Sequence, residues 1–407
     1  MSSNKSNIKF TVIVPTRERC ETLEWTLKTC VTQDYDNLEI IVSDNLSQDA
    51  TRDVVETYKD KRIRYVNPGK RLSMSHNWEF ALSYATGDYI AFVGDDDGLM
   101  PNGVEYAAEF LSETKTDAFI CRKPLYYWAN MLSEEYRNIL VLYLKDSLEK
   151  LDSVEMLKKI TTFETLDKAP LIYDGFVKKE ILDKIKNMSG RFFNSQIPDV
   201  YSSIAILGVI PDYYYTTKPF LIQGISSKST GASYLGQGGT EHSAKQFYSE
   251  ENIPFHSKLI TSPSSYTLMA ESILQAKDNV ETNADYNFDE KVLIEKTMES
   301  AVAMSPEKYQ EVVNSVKFSG ETYQLQDYAE KMIEKYPNAT ASRVPFKMGY
   351  NFRKDTLAIN TDETKVSNIY QASLECDKIR KKLPATAYLK NSLRYIAETA
   401  KQSIAKA

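Results

Sequence analysis

The sequence reads as an α/β protein: a mostly parallel β-sheet flanked by helices, with a helical region at its C-terminal end. Three features carry that reading. Short β-branched runs alternate with helix-length stretches through the first third of the chain. Polar and charged clusters close those apolar runs. From about Ser262 onward, strand signals give way to helical spacing.

Taken in order, Phe10–Pro15 is an apolar, β-branched run of the kind buried on both faces of a parallel sheet. Thr22 to Thr32 follows with Leu23, Leu27, Cys30 and Val31 at helical spacing. Leu38–Ser43 is the second strand, and Asp49 starts a helix running to Tyr58. Arg62–Val66 is a third strand, closed by Asn67-Pro68-Gly69. Ser73 to Thr86 reads as a helix stopped at Gly87, Asp88–Val93 as a fourth strand, and Pro101 as the first turn of the next helix. Repeated β-α-β units imply a parallel sheet covered on both faces. Further on, Asp117–Cys121 and Lys218–Ile225 look like strands. Ser153–Ile160, Lys178–Asn187 and Pro198–Gly208 look like helices, and Ser226–Thr240 like a Gly/Ser-rich mobile loop. Helices are expected at Tyr266–Ala276, Asp289–Ala303, Pro306–Val316, Glu321–Tyr336, Lys365–Leu383 and Ala385–Lys406. The expected organisation is an α/β domain over 1–240, a helical appendage over 241–340, and a linker with C-terminal amphipathic helices over 341–407.

Composition narrows the function. The net charge of −6 argues against a general nucleic-acid binder. The charge is uneven: from Leu374 onward eight Lys/Arg face three Asp/Glu, leaving −11 on the rest of the chain. Residues 385–407 place Leu389, Leu393, Ile396, Ala400 and Ile404 on one stripe with lysines and an arginine elsewhere. That pattern suits peripheral contact with an anionic membrane, or packing on protein, including a second subunit. The four cysteines form no C-x-x-C pair and the three histidines no zinc pattern, so reduced thiols in a cytoplasmic protein are expected. Met1–Lys9 has no apolar core of a signal peptide, and no apolar run is long enough to span a bilayer.

Ligands of an open parallel sheet bind beyond the carboxyl ends of its strands. Four clusters fall there: Pro15-Thr16-Arg17-Glu18-Arg19, Asp44-Asn45, Lys70-Arg71 and Asp95-Asp96-Asp97. Three adjacent carboxylates repel one another, and a divalent cation relieves that repulsion. Oxygen-only ligands suit Mg²⁺ or Mn²⁺, and the ion can also hold a diphosphate. The plain alternative is an acidic turn at the start of the helix after Pro101. Arg17, Arg19, Lys70 and Arg71 suit phosphates or are simply solvated charges. Asp44 suits a base or ribose, or a helix cap. There is no G-x-G-x-x-G, no P-loop and no G-x-S-x-G elbow.

These segments, Thr11–Arg17, Ile40–Thr51 and Gly87–Asp97, resemble the family 2 glycosyltransferases of GT-A (Rossmann-like) fold. The resemblance is strong over about the first 110 residues. It implies inverting transfer from a nucleoside-diphosphate sugar, assisted by Mn²⁺ or Mg²⁺, to a glycan or lipid-linked acceptor in surface polysaccharide synthesis. It implies donor contacts from Pro15, Thr16, Arg17, Asp44, Lys70, Asn77 and Asp95. It also implies a metal held by Asp96, with Asp95 and Asp97 beside it. Gly94 stands where many members have an aspartate. Asp199, at the start of a helix, matches the family's general base, although Pro198 replaces the usual glutamate; a helix cap is its plain alternative. His76 matches a position that contacts the donor in the family, or packs within its helix. Lys228–Ser233 matches a loop that folds over the diphosphate. Two other readings remain: a nucleotidyltransferase, and a non-catalytic nucleotide-sugar or glycan binding module.

Overall fold

A computed structural model describes residues 7–229, 253–282, 286–339, 347–351, 355–362 and 364–382. The expected helix and amphipathic stripe over 385–407, and most of the expected loop beyond Ser229, lie outside the described residues.

The α/β expectation holds, with a mixed sheet. Strands β1 (Phe10–Thr16), β2 (Leu38–Asp44), β3 (Ile63–Val66) and β4 (Tyr89–Phe92) pair in parallel in the order β3-β2-β1-β4. The sheet continues through β10 (Gly175–Lys178), β6 (Ala118–Cys121), β11 (Asp212–Thr216) and β9 (Leu148–Asp152). Strand β10 is antiparallel to both β4 and β6, so β6 runs the same way as β4. Strand β11 is parallel to β6, and β9 closes the edge antiparallel. The carboxyl ends of β1, β2, β4, β6 and β11 therefore share one edge.

The alternation of side chains in β1 builds the two covered faces. Phe10, Val12 and Val14 pack against Leu23 and Leu27 of α1 (Cys20–Val31) and Val104 and Leu111 of α4 (Gly103–Thr114). Ile13 faces the other way, with Trp78 of α3 (Met74–Leu82), Leu157 of α5 (Ser153–Thr161) and Ile204 of α7 (Pro198–Leu207). Helix α6 (Lys179–Ser189) adds Leu182 and Ile185 to that face. The short α2 (Thr51–Thr57) follows β2, with Asp49 Oδ1 accepting the Thr51 N–H at 3.0 Å.

A second sheet was not visible in the sequence. Its order is β13 (Gly349–Asn351), β14 (Thr356–Asn360), β8 (Ile139–Tyr143), β7 (Leu125–Tyr127), β12 (Leu221–Ile225) and β5 (Gly98–Leu99). Strands β13 and β14, expected within a linker, pair antiparallel with each other, and β14 pairs antiparallel with β8 over five residues. Helix α12 (Ile369–Lys382) seals this sheet with Ile369, Ala372 and Cys376.

The helical region holds α8 (Ser265–Asn279), α9 (Glu290–Ala301), α10 (Pro306–Thr322) and α11 (Gln326–Lys335). Helices α9–α11 share a small core around Met298 and Val312. Helix α8 instead puts Met269, Ile273 and Leu274 into the core that covers the large sheet. Among the described residues no helix is long and apolar enough to cross a membrane.

Candidate functional site

The β1–β2 register sets Thr16 beside Asp44 at the sheet edge. Beyond them lies a cleft of about 140 Å³, lined by Pro15, Thr16, Arg17, Arg19, Asn45, Met74, Asn77, Trp78, Asp95 and Tyr173. Five of the residues expected to touch a donor thus meet in one cavity: Pro15, Thr16, Arg17, Asn77 and Asp95. Asp44 is buried just behind, with Oδ1 accepting the Ser47 N–H at 2.9 Å and Oδ2 the Tyr65 hydroxyl at 2.6 Å. Lys70 is exposed and does not line the cleft. His76 bonds Ser73 through Nδ1 at 2.7 Å and meets Arg191 through Nε2 at 3.2 Å, outside the cleft lining.

The acidic triplet is almost wholly buried, and its carboxylates point three ways. Asp95 accepts the Thr16 hydroxyl at 2.7 Å and Arg19 Nη1 at 2.8 Å. Burial raises its pKa, against the opposing pull of Arg19. Burial works against the Arg19 charge too, but Asp95 and Asp96 outweigh it and hold its pKa up. Asp96 Oδ2 accepts the Ser226 hydroxyl at 2.6 Å, the Ser226 N–H at 3.3 Å and the Ser229 hydroxyl. Asp97 turns inward: Oδ1 takes the Gly224 N–H at 2.7 Å and Oδ2 the Gly94 N–H at 3.2 Å. Burial lifts its pKa to about 7, with Lys123 opposing and Asp96 adding. No group of three or more His, Cys, Asp or Glu side chains gathers for a metal among the described residues. The expected three-carboxylate ligand set is therefore not assembled as such.

Two glycines are explained by this crowding. A Cβ on Gly224 would sit 1.7 Å from the Asp96 carbonyl oxygen, so only glycine lets β12 pass the triplet. A Cβ on Gly94 would meet Asp97 Oδ2 at 2.9 Å and the Tyr173 hydroxyl at 3.0 Å. The Tyr173 phenol fills the space that a side chain at position 94 would need. Its ring stacks on Trp78 at 5.1 Å, and Trp78 on Phe92 at 4.8 Å. Burial, then the charges of Asp97, Asp95 and Asp96, raise its pKa well above that of a free tyrosine, so the phenol stays protonated.

Behind Tyr173 lies a buried cation that sequence reasoning missed. Lys123 Nζ pairs with Asp174 at 2.7 Å and donates to the Tyr173 carbonyl at 3.2 Å. Its pKa is raised: burial opposes the charge, and Asp174 and Asp97 more than restore it. The signal was available, because Arg122-Lys123 follows an expected strand directly. Tyr173-Asp174 had no such signal, since the stretch before β10 has no periodicity. Asp199, the second residue of α7, lies within electrostatic reach of Asp174 and Lys123. Burial raises its pKa, partly offset by the Val200 N–H on Oδ1 at 2.9 Å.

The described start of the expected loop lies over the triplet. Besides the two serines on Asp96, Lys228 Nζ donates to the Glu18 carbonyl at 2.6 Å, and Arg19 donates to the Lys228 carbonyl.

Known proteins share sequence or fold with parts of this chain. A family model described as Glycosyl transferase family 2 matches residues 11–172. The chain is 32% identical over 145 residues to a GalNAc(5)-diNAcBac-PP-undecaprenol beta-1,3-glucosyltransferase of Campylobacter jejuni, covering 35% of this chain and 44% of that one. It is 30% identical over 125 residues to the poly(ribitol-phosphate) beta-N-acetylglucosaminyltransferase TarS of Staphylococcus aureus, covering 28% and 21%. The chain thus spans less than half the length of these curated relatives. The crystal structure of S. aureus TarS residues 1–349 in complex with UDP-GlcNAc shares the fold, with a TM-score of 0.50 and 15% identity over 81% of this chain and 89% of that one.

Proposed function

We propose, from the premise that residues 11–172 form a family 2 glycosyl transferase domain, that this chain transfers a sugar from a nucleoside-diphosphate sugar, with inversion, to a glycan or lipid-linked acceptor. The observation that carries the reading is the junction of Thr16, Arg19 and Asp95 at the cleft, which ties the strand-one loop to the acidic triplet. Surface polysaccharide synthesis is the setting suggested by relatives whose names specify undecaprenol-linked and poly(ribitol-phosphate) acceptors.

Asn45, Asn77 and Trp78 would hold the nucleoside side of the donor, and Arg17 the diphosphate. Mg²⁺ is commonly held by one or two carboxylates plus substrate phosphates, so Asp96 with the donor's own oxygens fits that ion, or Mn²⁺, without a three-residue cage. When bound, the ion supplies neutralisation of charge on the leaving diphosphate. Asp97 holds β12 and Gly94 in place, and Asp95 orients Arg19 and Thr16. Asp199 accepts the proton of the acceptor hydroxyl as its oxygen attacks the anomeric carbon, opposite the departing diphosphate. A carboxylate with a raised pKa is a stronger base for that task. Lys123, next to Asp174, opposes the rise that burial gives the pKa values of Asp97 and Asp199.

Product analysis tests the reaction class. Incubation with nucleotide sugars and Mn²⁺ is expected to release a nucleoside diphosphate; release of pyrophosphate would indicate a nucleotidyltransferase instead.

A further inference from the structure

A second cavity, of about 180 Å³, lies farther along the same sheet edge, at the carboxyl ends of β6 and β11. Strands β4 and β6 are two positions apart, so it sits about 10 Å from the donor cleft along the edge. Tyr173 lines the first cavity, while Asp174 and Lys123 line the second. One short wall thus separates the two, and Asp199 is within electrostatic reach of that wall. A proton acceptor near the wall between two cavities suits transfer from one bound molecule to another.

One residue that lines the second cavity has an unmet hydrogen bond. Tyr215 on β11 is 2% exposed, and its hydroxyl has no partner among the described residues. A buried, unpaired hydroxyl costs about 1–3 kcal/mol, and such groups call for an explanation. Two of the cations around it are already paired with carboxylates. Lys123 pairs with Asp174, and Lys168 pairs with Glu149 at 2.7 Å while lying over the Tyr215 ring. Arg122 covers the Tyr143 ring at 4.0 Å. What remains is a mixture of donors and acceptors, with Gln223 and Asp167 completing the lining. Sugar hydroxyls both donate and accept, so they suit that mixture; a phosphate only accepts.

We propose that this cavity is the acceptor subsite of the glycosyltransfer reaction put forward above, and that it takes one uncharged sugar residue of the acceptor, hydrogen-bonded to the Tyr215 hydroxyl. It rests on that reading, and the test separates the two. The full chain is titrated with a panel of neutral p-nitrophenyl hexosides and N-acetylhexosaminides, and separately with ribitol 5-phosphate. Binding is followed by saturation-transfer NMR, with nucleoside diphosphates and Mn²⁺ titrated in parallel. At least one neutral glycoside is expected to bind. Tyr215→Phe should weaken it by about tenfold or more, the size of one lost hydrogen bond. The same variant should keep its nucleoside diphosphate affinity and a thermal midpoint at or above that of the unmodified protein. Asp167→Asn, an exposed rim position, should also weaken the glycoside. Equal glycoside affinity in Tyr215→Phe, no binding by any neutral glycoside, or binding of ribitol 5-phosphate alone would each overturn the proposal. Failure of every nucleoside diphosphate to bind the unmodified protein would instead sink the donor reading, and the glycoside titration would still report on the cavity.

Discussion

The two halves of the sheet edge are built differently. At β1, β2 and β4 the chemistry-bearing residues follow their strands directly, so position in the chain nearly equals position in space. At β6, β10 and β11 the residues come from separate stretches: Lys123 after a strand, Tyr173 and Asp174 before one, Asp199 on a helix and Tyr215 within a strand. The first half is built from local loops tied to each other, as Thr16 is tied to Asp95. The second half depends on long-range packing, including α8 from the helical region. Damage to the first should therefore appear mainly in donor binding, and damage to the second mainly in turnover.

The sharpest contrast should come from Asp199→Asn. Loss of a general base costs on the order of 10²–10⁴ in rate, so kcat is expected to fall by that range while donor affinity stays within about twofold. Parallel loss of affinity and rate would move Asp199 into the donor half. Gly224→Ala should be the most disruptive change near the triplet. Its Cβ would fall on the Asp96 carbonyl, and overpacking of this kind costs about 1–3 kcal/mol or more. Urea unfolding should show the loss, and donor binding should fall with it. Thr16→Val removes one bond to a buried carboxylate, worth about 1.5–3 kcal/mol, and should lower donor affinity while leaving the rate of bound donor nearly unchanged.

The smallest effect lies farthest from the chemistry. Glu271 on α8 is buried, accepts the Ser195 hydroxyl at 2.5 Å, and also bonds Gln275 at 2.9 Å. Ser195 in turn accepts the Ile197 N–H at 3.1 Å, just before α7 and Asp199. Burial pushes the Glu271 carboxyl up to about 7, with Ser195 and Gln275 pulling the other way. A folded-state pKa above the unfolded value means that its stabilising contribution is complete below about pH 4.3 and lost as pH rises through 7. Through this group, stability of the unmodified protein should therefore decline from about pH 4.3 to about 7 and level off above that. Glu271→Gln should flatten that decline and be more stable at pH 8, by about 1–2 kcal/mol in urea unfolding. Identical pH profiles would contradict the assignment.

The same contrast explains what the sequence could reveal. The strands β1 to β4, the flanking helices and the acidic triplet were legible because each is a contiguous pattern. The triplet's internal division of labour was not, since it depends on Gly224 and Ser226 arriving more than a hundred residues later. Strands β10 and β13 are three or four residues long, too short to show a period against their surroundings. The second sheet is assembled from strands of two to five residues, and β13 and β14 fall in a stretch that reads as linker because both carry polar residues. Gly94 looked like a departure from the family's motif; the Tyr173 hydroxyl, from almost eighty residues downstream, occupies its space.

The central claim is that the cleft bounded by Thr16, Arg19 and Asp95 takes a nucleoside-diphosphate sugar, with Asp96 beside its diphosphate. The direct measurement is calorimetric titration of nucleotide sugars, with and without Mn²⁺, into the unmodified protein and Asp96→Ala. At least one donor should bind the unmodified protein more tightly with Mn²⁺, and Asp96→Ala should stay folded but lose that metal-dependent gain. Metal-dependent binding that survives intact in a folded Asp96→Ala protein would contradict the account.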